Sequence, residues 1–402
     1  MSKIYLVGYH QSKFGKLYDK SLEQMMSEAA HGVLEPLGAK PDVVDTVGVA
    51  GCATAMLNDQ MLLAGLVAQI PGLGSKMIDT AENACSSGGQ AMLNVIYRLA
   101  AGAADVGMAI GVEKMRDDAG KMDGKLVGKV LGIASHPGQR EGKVFVFPHI
   151  FAEIMAQYLE HHGATEEDLA HVPVTFYAHG NDNPFAQMKK VKVTVDDVMK
   201  IEGINRYIVD GLPLKTYECS QISDGYAAVL LCNERGLKKL EVPPDKVVEV
   251  AGFAQRTDPL DTSKRTDTLE PTGAYDCVRA AYQMAGITAD NVSVAEVHDC
   301  FSVMGAMSPE ILGKVKPGQG AKYYVEGRAK VGSQCPINTS GGLIAKGHPI
   351  GATGVAMPGW CYWQLTGQVP EALQVKDIDH AATFNIGGPI CASVVFVLRR
   401  KQ

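Results

Sequence analysis

The nine cysteines of this chain include no Cys-x-x-Cys pair, and no His/Cys set has zinc-finger spacing. Neither a disulfide framework nor a structural metal is therefore expected, and an odd count of unpaired thiols fits a reducing cytoplasm. No stretch of about 18 apolar residues appears, which excludes a spanning helix and a membrane partner of that kind. The opening Met1-Ser2-Lys3-Ile4-Tyr5-Leu6-Val7-Gly8 reads as a strand with no charged-then-apolar leader, and Arg399-Arg400-Lys401-Gln402 is not a Ser-Lys-Leu address. With a formal net charge of −6 and no dominant basic stripe, nucleic acid is not an expected partner. The expectation is a soluble, untargeted cytoplasmic protein.

What is present is enough apolar residue for more than one core: 402 residues, 46% of them hydrophobic, predict two or three structural units. Residues 1–115 alternate strand and helix signals, with Met77–Ala81 and Asp105–Val112 as strands. From 116 to 215 glycine, lysine and histidine accumulate and Asn181-Asp182-Asn183-Pro184 marks a turn, so this stretch reads as an inserted, loop-rich subdomain. The segment 216–242 carries Ala227-Ala228-Val229-Leu230-Leu231, a run typical of a strand buried on both faces, and is expected to rejoin the first sheet. After Val242-Pro243-Pro244-Asp245 a second alternating series, 243–402, runs from Val247–Val250 to Ala392–Leu398.

Cys85 lies in Ala84-Cys85-Ser86-Ser87-Gly88-Gly89, between that strand at Met77–Ala81 and a helix whose apolar face is Met92, Val95, Ile96 and Leu99. A thiol at a helix N-terminus is expected to fall below the roughly 8.5 of free cysteine, because unpaired N–H groups and the dipole favour thiolate. Small residues from Ser86 to Gly89 would let a thioester approach the backbone, with the N–H of Cys85 as an oxyanion donor. The competing reading is a buried packing cysteine. In the second half, Val294–Val297 is a strand ending in His298-Asp299-Cys300-Phe301, where α/β sheets bind ligands; a redox or weak metal pair is the alternative for His298 and Cys300. The glycine-dense Asn338–Gly354 segment holds His348-Pro349 and lacks the Lys-Ser/Thr ending of a phosphate loop. Asn385-Ile386-Gly387-Gly388-Pro389 offers a second bend with exposed N–H donors.

Through Asn83–Gly88, Gly111-Val112-Glu113-Lys114-Met115, Ser223-Asp224-Gly225 and above all Gly341-Gly342 to Gly347-His348-Pro349-Ile350-Gly351-Ala352-Thr353-Gly354, the chain resembles the thiolase superfamily over essentially its whole length. His298-Asp299-Cys300-Phe301 is similar to the signature of sterol-carrier-protein-type and archaeal-type thiolases. The resemblance implies an α/β fold of two five-stranded βαβαβαββ halves stacked as an αβαβα sandwich, with an inserted loop subdomain over the site. It also implies a homodimer or tetramer, and a small OB-fold, zinc-ribbon subunit as partner. Coenzyme A is the implied co-substrate, with no permanently bound cofactor and no metal.

By the same resemblance Cys85 accepts an acyl group, His348 takes its proton, and His348 with His298 forms one oxyanion hole. The N–H groups of Cys85 and Gly387 form the other. Cys300 is the implied acid and base at carbon, since Asn385 stands where most thiolases have that cysteine; Cys391 is expected to be core. Pro389 and Pro358 also depart from the pattern, the first expected to narrow its turn and the second to kink its helix. The implied reaction is thiolysis of a 3-ketoacyl-CoA or the reverse Claisen condensation. The alternatives are a decarboxylating ketosynthase, which has no use for Cys300, and a non-catalytic acyl-CoA-binding scaffold. Acetoacetyl, straight-chain and bulky groups such as benzoylsuccinyl demand the same catalytic groups, so the acyl specificity lies in the pocket walls, for which Phe145–Phe151 is the expected candidate.

Overall fold

A computed structural model describes residues 2–116 and 121–401. Its nine strands are β1 (Tyr5–Gln11), β2 (Thr46–Ala50), β3 (Met77–Ala81), β4 (Val106–Glu113), β5 (Gly225–Cys232), β6 (Val248–Thr257), β7 (Val294–Val297), β8 (His380–Gly387) and β9 (Ala392–Arg400). They pair in the order β3-β2-β4-β5-β1-β6-β9-β8-β7. Along the sheet the first half, β3-β2-β4-β5-β1, and the second, β6-β9-β8-β7, pair through Tyr5 and Leu6 with Glu249 and Val248. As expected, Ala227–Leu231 lies in a fully buried strand that returns between β4 and β1.

The main helices are α1 (Leu22–Leu34), α2 (Ser87–Ala100), α3 (Gly124–Gly132), α4 (Val146–His162), α5 (Glu166–Asp182), α6 (Thr272–Ala285), α7 (Ser302–Ile311) and α8 (Ile350–Leu365). Three cores separate the layers. One holds α1 residues such as Met26 and Val33 against Val47, Ile110 and Leu230 of the first half. A second fills the space between the halves with Met92, Val95, Ile96 and Leu99 of α2 and Val355 and Ala356 of α8. The third packs α6 and α7 on the far face of the second half. Only Trp363 of α8 escapes full burial, as suits a helix that is apolar all round. The helix also runs through Pro358 without ending there. This is the αβαβα layering.

Two details differ from expectation. The second half has four strands: the fifth position is reduced to a bridge between Ile337 and Ala295, bounded by Pro336, which has no N–H to pair, and by Asn338 at φ +51°. The inserted segment is largely helical rather than loop-rich. Ile150, Phe151, Ile154, Met155 and Tyr158 recur at helical spacing in α4, and a Thr165/Asp168 capping box starts α5. Val172 and Phe176 of α5 share one core with Met304 and Met307 of α7, so the insert is welded to the second half.

Candidate active site

Cys85 stands on a bend that its neighbours hold by short-range bonds. The hydroxyls of Ser86 and Ser87 donate to the carbonyls of Asn83 and Ala84 at 2.7 and 2.6 Å, and the N–H of Asn83 donates to Ser87 Oγ at 2.8 Å. Ala84 takes φ +50°, a left-handed conformation that costs an alanine strain. The glycines that follow serve packing. A Cβ on Gly88 would come within 2.8 Å of Gly351 O and Val355 N, and one on Gly89 within 3.1 Å of Asn385 Oδ1. They let α2 cross α8 closely, where the sequence suggested room for substrate.

The two histidines arrive on clamped loops from the second half. Behind His298, the Asp299 carboxylate accepts the N–H groups of Leu343 and Ile344 at 2.7 and 3.1 Å and the Asn338 amide at 2.7 Å. This ties the end of β7 to the glycine-rich turn, where Gly342 at φ +60° leaves no space for a Cβ beside Asp299. Behind His348, its own N–H donates to Gln221 O and Ser223 Oγ at 3.1 and 3.0 Å. Asp224 in turn accepts from Leu17, Met115 and Arg116, which gathers two segments of the first half around this loop.

The result is convergence. One ligating atom each of Cys85, His298 and His348 lies within 4.8 Å of the others, the one such His/Cys/Asp/Glu group among the described residues. The imidazole rings stand edge to face, centroids 5.0 Å apart at 86°. Asn385 Nδ2 lies 3.0 Å from His298 Nδ1 and donates to Cys85 O at 3.2 Å, while His348 Nδ1 lies 2.8 Å from Thr353 Oγ1. Burial drives both rings towards neutrality, His348 down to about 3 and His298 further lowered by the neighbouring His348.

The thiol behaves contrary to expectation. Burial first, then the charge of Glu113, pushes Cys85 up to about 12, and the N–H groups of Gly388 and of Cys85 itself only partly offset this. The physical reason is position: α2 begins at Ser87, two residues on, and the sulfur sits in an apolar nest instead. Met115, Val127 and Ile350 form that nest, with Leu57, Leu131 and Ile222 packed against it. The N–H that meets the sulfur is that of Gly388, whereas Gly387 packs against Asn83 O and Ser86. Two backbone donors converging on sulfur favour an anion there and repel a cation, which suits acyl transfer better than metal binding.

Cys300 is buried beside the trio but outside its 4.8 Å cluster; burial raises its thiol, and charge on Cys85 would raise it further. Cys391 donates to Asp258 O and takes no part. Of the Phe145–Phe151 run, Phe145 is exposed, whereas Phe151 packs on Phe301, centroids 4.8 Å apart. The walls nearest the sulfur come instead from α3, through Val127 and Leu131. Two site residues had no role in the sequence reading. Asn385 is the first. The second is Glu113, whose buried carboxylate accepts the N–H groups of Cys52, Ala53 and Gly351 at 3.0, 3.1 and 3.0 Å. Its place in Gly111–Met115 was the available signal.

The geometry agrees with what the chain is similar to. The family model "Thiolase, N-terminal domain" matches residues 4–235, and "Thiolase C-terminal domain-like" matches 254–400. An acetyl-CoA acetyltransferase of Methanothermobacter thermautotrophicus is 33% identical over 400 residues, covering 100% of both chains. Benzoylsuccinyl-CoA thiolase subunit BbsB of Thauera aromatica is 29% identical over 97% of this chain and 95% of its own. Among solved structures, the Ltp2-ChsH2(DUF35) aldolase superposes with a TM-score of 0.82 at 20% identity, covering 99% of this chain and 98% of that one. Human mitochondrial 3-ketoacyl-CoA thiolase in complex with CoA gives 0.72 at 18%, covering 100% and 98%. Both halves matched, a full-length relative at one-third identity and a shared fold lead to one conclusion: this chain belongs to the thiolase family.

Proposed function

We propose that the protein is a thiolase acting on coenzyme A thioesters, and that the meeting of Cys85 with His298 and His348 within 4.8 Å carries this reading. His348 takes the proton of Cys85 as sulfur attacks the thioester carbonyl, which a thiol held as high as about 12 requires. The N–H groups of Cys85 and Gly387 receive the oxyanion of that step, as the family resemblance implies, while the N–H of Gly388 bonds the sulfur itself. In the condensing direction Cys300 removes a proton from the methyl of acetyl-CoA, and His298 with His348 stabilises the enolate oxygen. Thiolysis runs the same steps backwards, with Cys300 returning the proton to carbon. Coenzyme A enters as co-substrate, as the relatives named for acetyl-CoA and benzoylsuccinyl-CoA support.

The assembly completes the proposal. β3 is an edge strand with Met77 41% exposed, and Met61 and Leu62 beside it are each 74% exposed, which suits pairing with a second copy as a homodimer. A relative named as a subunit and a two-protein structural neighbour support a small partner subunit. Among the described residues no helix is long and apolar enough to cross a membrane; the cytoplasm remains the proposed location.

The intact mass after incubation with acetyl-CoA, beside a Cys85→Ala control, tests the chemistry. An acetyl adduct absent from the control is expected. Cys300→Ala should keep the adduct and lose condensation. An adduct that survives Cys85→Ala would remove the nucleophile from Cys85.

A further inference from the structure

The two imidazoles that meet at the thiol are chemically identical, yet the attack of Cys85 asks opposite things of them. What each can do is set by its far nitrogen. Asn385 Nδ2 is 3.2 Å from the carbonyl oxygen of Cys85, an obligate acceptor, so the amide must present its NH2 on that side. The alternative orientation would set two acceptor oxygens against each other. The same NH2 lies 3.0 Å from His298 Nδ1, which must then accept. The amide oxygen faces the other way, between Gly89 and Gly354, where a Cβ would come within 3.1 and 2.5 Å of it. There it is buried without a hydrogen-bond partner among the described residues, so the amide orientation rests on the carbonyl of Cys85.

His348 has the mirror arrangement. Thr353 Oγ1 lies 3.1 Å from Pro349 O, the carbonyl four residues before it in α8, and a hydroxyl has one proton to give. With that proton on Pro349 O, Thr353 Oγ1 accepts from His348 Nδ1 at 2.8 Å.

We infer that Asn385 and Thr353 are positioning residues that lock the site imidazoles in opposite tautomers. His298 carries its proton on Nε2 and donates to a substrate oxygen; His348 carries its proton on Nδ1, so its Nε2 first accepts the proton of Cys85 and, once protonated, donates to a substrate oxygen beside His298. Asn385 thus fills the place of the second thiol of other thiolases with a group that sets the hydrogen-bond polarity of His298 and holds the nucleophile's own carbonyl. The consequence for catalysis rests on the thiolase reading; the tautomers do not.

Histidine 15N labelling tests this without substrate, since protonated and unprotonated ring nitrogens differ in shift. Signals are assigned from His298→Gln and His348→Gln. In the wild type, His298 should show a protonated Nε2 and His348 a protonated Nδ1. Asn385→Asp, which turns a donor into an acceptor, should move the His298 proton to Nδ1 and lower kcat about 10²-fold, the usual loss for one oxyanion donor. Thr353→Val should abolish the Nδ1 preference of His348 and slow acyl-enzyme formation, with Thr353→Ser restoring both. A protonated Nδ1 on His298 in the wild type, or a His298 signal unmoved by Asn385→Asp, overturns the inference whatever reaction the enzyme runs. If the tautomers are as stated but no acyl adduct forms, it is the functional reading that fails.

Discussion

Glu113 accepts the backbone N–H of Gly351 at 3.0 Å, and through that bond the end of β4 in the first half holds the start of α8 in the second. Burial outweighs the three N–H bonds this carboxyl receives and raises it to about 7, above the 4.5 of a free glutamate. The folded state therefore binds the proton more tightly than the unfolded. The contribution is complete below about pH 4.5 and is lost as pH rises through about 7, a change of about 3 kcal/mol. Chemical denaturation from pH 4.5 to 7.5 should show a falling stability in the wild type that Glu113→Gln lacks. Equal slopes for the two proteins would refute it.

The same carboxylate helps hold Cys85 in the thiol form. Alkylation by iodoacetamide should accelerate with pH to beyond 10, with no plateau near neutrality. Glu113→Gln removes a neighbouring negative charge and should move that profile to lower pH. A wild-type plateau near pH 7 would mean that the free enzyme already holds a thiolate.

Gly88→Ala puts a Cβ 2.8 Å from two backbone atoms of α8, neither able to rotate away. A loss of about 1–3 kcal/mol is expected for such overpacking, seen as a lower melting temperature. The displaced start of α8 adjoins the His348 loop, so kcat should fall as well. An unchanged melting temperature would show that the two helices do not cross so closely.

Val127→Phe narrows the nest around Cys85 and should shift acyl preference towards acetyl, whereas Phe147→Ala should leave it unchanged. Competition between acetyl-CoA and a longer acyl-CoA for the acyl-enzyme, read by mass, checks both. The reverse pattern would return the pocket wall to α4.

The strands and the three loops bearing Cys85, His298 and His348 were legible because their signals are local: a strand, a turn and a short run of glycines. Asn385 shows where such reading stops. It lies 300 residues from the carbonyl it holds, and its amide says nothing of that partner until both halves are folded. Glu113 is similar, its three N–H partners lying on segments 60 residues upstream and 238 downstream. Gly88 and Gly89 were visible but misread, because a glycine admits a ligand and a neighbouring helix equally well. The apolar rhythm of α4 was present in the sequence and was outweighed by the glycines, lysines and histidines around it.

The halves meet along the sheet through two residues on each side, and the nucleophile belongs to one while both imidazoles belong to the other. During synthesis the ribosome releases Cys85 with 300 residues still to come before Asn385. Until β7 and β8 are in place Cys85 has neither imidazole within reach, and so lacks the base that takes its proton in the proposed acylation. The division between halves makes the paired imidazoles, and not the turn that carries the thiol, the last part of the site to assemble.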